Sequence, residues 1–167
     1  RRLVEKGVRF VQVFHGDWDH HTDIGNRLPS ECRVTDQGSA ALVVDLARRG
    51  LLEDTLVVWG GELGRTPVAQ KPMAAGGRVG RDHQIEAFTM WFAGGGVRPG
   101  QVIGETNDLG CLPAEDGWHV YDLQATILHA LGLDHERLTY RYEGREFRLT
   151  DIYGEVKSEL FATASRG

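Results

Sequence analysis

Three short apolar runs constrain this chain most: Val8–Phe14 (VRFVQVF), Thr55–Trp59 (TLVVW) and Ala87–Ala93 (AFTMWFA). Each is rich in β-branched and aromatic residues. Each is too short for a globular helix and too apolar for a strand with one wet face, so all three read as buried strands. Stretches of helical period lie between and around them. Arg1–Lys6 reads as the end of a helix closed by Gly7. Thr35–Arg49 reads as a helix with Ala40, Val43, Val44, Ala47 and Leu51 on one face, started by Thr35 or Asp36 and stopped by Gly50. Tyr121–Leu133 places Leu123, Ile127, Ala130 and Leu131 on one face, with Asp122 as cap and Gly132 as stop. A short strand is expected in Val102–Glu105 and a last helix near Asp151–Ala162. This alternation predicts an α/β fold, a largely parallel sheet flanked by helices. The opening RRLVEKG, read as the last turns of a helix, further suggests that residues 1–167 are the C-terminal portion of one α/β domain.

The bulk numbers exclude some classes. With 41% hydrophobic and 26% charged residues, the chain has the composition of a folded protein. A net charge of −5 argues against a nucleic-acid footprint, which needs a basic face. No apolar run approaches the roughly 20 residues of a membrane span. The two cysteines, Cys32 and Cys111, permit one disulfide at most. The 22 glycines cluster in WGGELG, AAGGRVGR and AGGGVRPG, which read as turns.

In a parallel sheet, ligands bind beyond the carboxyl ends of the strands. The stretch HGDWDHHTDIG leaves the first apolar run and GGELGRTP leaves the second, so both are expected to face one crevice. If the first continues extended, His15, Asp17, Asp19 and His21 point one way. Imidazole and carboxylate together suit zinc, manganese or iron; a polar loop with chance histidines is the plain alternative. Glu62 stands just outside a strand, as a ligand would, or as a turn residue paired with Arg65. Asp82 and His83, in GRDHQ, add a third pair, with Asp82 as ligand or as the partner that holds the His83 ring. His119 reads as a capping or packing residue, His129 and His135 as ordinary ones, and Trp18, Trp59 and Trp91 as core or crevice wall.

Four stretches in order, RRLVEKGVRFVQVFHGDWDHH, LLEDTLVVWGGELGRTP, GRDHQIEAFTMWFAGGGVRPGQVIGET and HVYDLQATILHALGLDHERLTYRYEGREFRLTD, resemble the C-terminal half of the bacterial domain of unknown function 1501 family. The resemblance implies a sulfatase-like member of the alkaline phosphatase superfamily. It implies a divalent metal ion (zinc, calcium, magnesium or manganese) on Asp19, His21, Glu62 and His83, with Asp17 or Asp82 for a second. Leu63 stands where the superfamily has a metal-binding histidine, which argues against the full two-metal set. Arg65 and Arg81 are the expected catalytic grips on the ester oxygens. The resemblance places the nucleophile in an N-terminal half outside this sequence.

The expectation is therefore a metal-dependent hydrolase of sulfate or phosphate esters, acting on a small-molecule or carbohydrate ester. It has no nucleic-acid partner and no membrane span, and export is implied by resemblance. A non-catalytic binding or scaffold protein is the alternative, and a metal amidohydrolase is a third reading.

Overall fold

The computed structural model describes residues 1–72, 76–115 and 117–161. Among the described residues three α-helices form, α1 (Arg2–Glu5), α2 (Ile24–Arg48) and α3 (Val120–Ala130), together with the eight strands below. Eight strands pair as four separate antiparallel ribbons. These are β1 (Val57–Gly60) with β4 (Met90–Ala93), β2 (Gly64–Gln70) with β3 (Gly80–Gln84), β5 (Glu105–Thr106) with β6 (Pro113–Glu115), and β7 (Thr139–Tyr142) with β8 (Arg145–Arg148).

The expected parallel sheet is thereby corrected. The apolar runs at 55–59 and 87–93 do supply strands, but those strands pair antiparallel, with Val57 opposite Ala93 and Gly60 opposite Met90. The physical reason lies in the connection. Parallel neighbours need a crossover of a dozen or more residues, usually a helix. Residues 61–89 hold the β2–β3 ribbon instead, which returns the chain locally and delivers β4 from the opposite direction. Val8–Phe14 forms no strand. Among the described residues, 9–14 make no backbone hydrogen bond, and Phe10, Val13 and Phe14 are 67%, 86% and 84% exposed.

The helices follow local chemistry. Gly7, at φ 81°, ends α1 by donating to Val4 O, as expected. Helix α2 begins eleven residues before the expected Thr35. Pro29 lies inside it, in the second turn, where it removes one internal bond near an end that is already short of bonds. Thr35 is no cap; its Oγ1 donates back to Glu31 O at 3.0 Å. His119, not the expected Asp122, is the N-cap of α3, and Asp122 completes the capping box from inside the helix. His119 Nδ1 accepts from Tyr121 N at 3.3 Å, while Asp122 Oδ2 accepts from His119 N at 3.0 Å. Gly132, at φ 76°, closes α3.

The tail departs from expectation. Residues 151–161 contain a turn, a 3-10 turn at Ser158–Leu160 and an isolated bridge from Phe161 to Val97, with no α-helix; residue 162 of the expected helix lies outside the described residues. Of the expected 102–105 strand, only Glu105 is in β5. The β7–β8 hairpin was not anticipated. Its turn residues, Glu143 at φ 48° and Gly144 at φ 80°, have the paired positive φ of a type I′ turn.

Burial is thin. Leu46, Leu123, Ala125 and Leu160 are the buried hydrophobic residues among those described. The 18.5 kDa chain exposes 12511 Å², about half as much again as the ~8,200 Å² of a compact monomer of that mass. No described helix is long and apolar enough to cross a membrane. Cys32 and Cys111 are free thiols.

Candidate metal centre

Three segments converge on one point. The loop 15–23 approaches the β2–β3 ribbon edge-on: Thr22 bridges to Val79, and Arg81 N donates to His20 O at 3.0 Å. Gly80, in β3, makes this approach possible. A Cβ there would lie 2.1 Å from His21 C and 2.4 Å from His20 O, so only glycine lets the two backbones close. Within the ribbon, Arg65 and His83 are direct cross-strand partners and share one face. A bulge between Arg65 and Ala69, containing Pro67, re-aims the rest of β2 so that Gln70 reaches the same loop.

Asp19, His21 and His83 meet at this junction. Asp19 Oδ1 stands 2.9 Å from His21 Nε2 and 2.9 Å from His83 Nε2. The two rings are 4.9 Å apart, centre to centre. Among the described residues, these three are the one group of His, Cys, Asp and Glu whose ligand atoms all lie within 4.8 Å of each other. Arg65 shares the same oxygen, its Nη2 donating to Asp19 Oδ1 at 2.8 Å and to Trp18 O at 3.1 Å. The hydrogen bond from His83, then that from Arg65, pull the Asp19 carboxyl down to a pKa of about 2, so it is ionised over all ordinary pH.

The other expected ligands are placed elsewhere. His15 and Asp17 do not join, because Asp17 takes φ 65° and ends any strand-like alternation. His15 Nδ1 instead accepts from Trp18 Nε1 at 3.1 Å. Glu62 is exposed in the turn between β1 and β2, outside the cluster. Asp82 sits at the margin. It accepts from His83 N at 2.8 Å, and its Oδ1 is 3.9 Å from His21 Nδ1, so it neighbours the His21 ring and not the His83 ring.

The two arginines divide. Arg65 is 22% exposed at its side chain, and its guanidinium is spent on Trp18 O, Asp19 and Arg81 O. Arg81 is exposed and makes one long contact, Nη1 to Thr66 O at 3.3 Å. Both line a cleft of about 380 Å³, whose other walls are His20, Ile24, Gly25, Leu28 and Pro29. That size is at the small end of ligand clefts.

His20 and Gln70 were not singled out in the sequence. His20 is 2% exposed, and neither ring nitrogen has a hydrogen-bond partner. Its burial, reinforced by the charges of Arg27 and Arg65, pushes its pKa down and keeps it neutral. Gln70 Oε1 lies 2.7 Å from His21 Nδ1. Neither residue carries a spacing signal, since both contacts depend on how the loop meets the ribbon.

A family model, "Protein of unknown function (DUF1501)", matches residues 1–161, and the chain belongs to that family. No curated protein and no solved structure matches it.

Proposed function

We propose that this member of the DUF1501 family binds one divalent transition-metal ion on Asp19, His21 and His83 and serves in the hydrolysis of sulfate or phosphate esters. The single observation behind this reading is the convergence of two imidazole nitrogens on one carboxylate oxygen, each at 2.9 Å. Two histidines and one carboxylate form a three-ligand set that leaves a coordination position open, as catalytic sites do. The mixed nitrogen and oxygen set suits zinc, manganese or iron; calcium and magnesium prefer oxygen alone.

A cation held there supplies Lewis-acid stabilisation for the charge that builds on an ester oxygen. The chain's own residues prepare the place. Asp19 stays anionic to about pH 2 and needs no deprotonation before binding. Arg65 fixes that carboxylate and so works through Asp19. Arg81, exposed at the cleft, keeps N–H donors for non-bridging oxygens in the planar, two-pronged manner of guanidinium groups. Ile24, Leu28 and Pro29 give the cleft, which Arg65 and Arg81 also line, an apolar wall suited to the organic part of an ester. The substrate class and the placement among sulfatase-like proteins of the alkaline phosphatase superfamily rest on the sequence resemblance.

Elemental analysis of the protein equilibrated with zinc tests the reading. One ion per chain is expected, with both Asp19→Ala and His83→Ala losing it. A parent protein that retains no metal, or ester cleavage that survives exhaustive chelation, would end it.

A further inference from the structure

We infer that Gln70 is the positioning residue of this centre: its side-chain carbonyl takes the Nδ1 proton of His21 and thereby turns Nε2 toward Asp19 and His83. The inference rests on the metal reading above and deepens it.

The geometry is specific. A neutral imidazole carries one N–H and one lone pair, and the partner of one nitrogen decides which is which. Gln70 Oε1, an acceptor, is 2.7 Å from His21 Nδ1, a short contact for N–H···O. Without an ion, Nε2 donates to the ionised Asp19 Oδ1 at 2.9 Å; with an ion bound, Nε2 must offer its lone pair instead, and the one proton left on the ring sits at Nδ1, where Gln70 Oε1 takes it. Among the described residues, no other acceptor does this as well. Asp82 Oδ1 is 3.9 Å away, beyond hydrogen-bond reach, and already accepts from His83 N. A free His21 ring can present either nitrogen; one held by Gln70 presents Nε2 in a fixed plane before the ion arrives.

The arrangement also explains the shape of β2. The register shift between Arg65 and Ala69 lets the two ends of one strand serve one centre. Arg65 reaches Asp19 from the first part and Gln70 reaches His21 from the last. Metal-binding histidines regularly donate their second N–H to such a partner, and losing it costs about 10- to 100-fold in metal affinity.

Two readouts test this on the full chain. Zinc affinity is measured by competition with a chromophoric chelator. The imidazole nitrogens of His21 are followed by ¹⁵N NMR in the metal-free protein. Gln70→Leu is expected to weaken zinc binding about 10- to 100-fold and to move the His21 nitrogen shifts as the Nδ1 hydrogen bond is lost. Gln70→Glu, which keeps the acceptor, is expected to hold both near the parent. Circular dichroism of the metal-free variants shows whether each still folds. If Gln70→Leu folds, yet binds zinc as tightly as the parent with unmoved His21 shifts, the role of Gln70 is overturned and the metal centre stands. If the parent takes up no zinc, both ideas fall.

Discussion

Gly80→Ala is the sharpest perturbation of the junction that brings Asp19, His21 and His83 together. Gly80 does not have a positive φ, so alanine meets no backbone strain there, and any cost is steric. The added Cβ would lie 2.1 Å from His21 C and 2.2 Å from His21 O, whereas real Cβ contacts essentially never fall below 3.0 Å. These are backbone atoms of a loop tied by Arg81 N to His20 O, so no side chain can swing aside. The loop must retreat by about 0.9 Å, an overpacking change that costs about 1–3 kcal/mol. For a chain of this size that lowers the melting temperature by about 2–12 °C. The same retreat pulls Asp19 and His21 off His83, so zinc affinity is expected to fall at least about tenfold, equivalent to 1.4 kcal/mol. Calorimetry of the metal-free protein and zinc competition read the two effects. Gly38→Ala is the control, because a Cβ there meets nothing within 4 Å. A Gly80→Ala protein with the parent's melting temperature and the parent's zinc affinity would refute the reasoning.

Other outcomes follow from the same contacts. Gly38→Ala, in the exposed interior of α2, should raise stability by about 0.5–1 kcal/mol, read by denaturant titration. Asp19 has a folded pKa of about 2 against an ordinary 3.8. Its contribution to stability is therefore complete above pH 3.8 and is lost as pH falls toward 2, which ¹³C NMR of the carboxyl and acid unfolding together measure. Asp19→Asn should remove that pH dependence. The amides of residues 9–14, which make no backbone hydrogen bond, should exchange with solvent at near-unprotected rates. Replacing the exposed Phe10 and Phe14 with lysine should reduce self-association, seen by light scattering, while changing stability by less than about 0.5 kcal/mol each.

How much the sequence discloses varies with how local the signal is. The end of α1 at Gly7 and the stop of α3 at Gly132 are readable because each is settled within a few residues; the cap of α3 was read one turn late, at Asp122, which shares the capping box with His119. The start of α2 is not, because Gly25 and Pro29 read as loop although one turn of helix tolerates them near its end. The β7–β8 hairpin did carry a signal, the Glu143–Gly144 pair between alternating aromatic and charged residues, which the charge of the tail obscured. Pairing direction was misjudged because an apolar run announces burial and says nothing of its neighbour; the β2–β3 ribbon inside 61–89 decides it. That Asp19, His21 and His83 lie close together agrees with their residue types in the sequence. The alternation that grouped His15 and Asp17 with them failed at the positive φ of Asp17. Glu62 lies outside the Asp19–His21–His83 group, since nearness to a strand end does not fix which way a turn points. The contact of Gln70 with His21 was illegible, because it depends on the bulge before Gln70.

The central claim is that two imidazoles and one carboxylate of this chain share one ion. Zinc-edge X-ray absorption of the loaded protein tests it most directly. The account predicts a first shell with two imidazole nitrogens and carboxylate oxygen, losing one imidazole in His21→Ala and one in His83→Ala. A shell without imidazole, or one unchanged when both histidines are replaced, would contradict it.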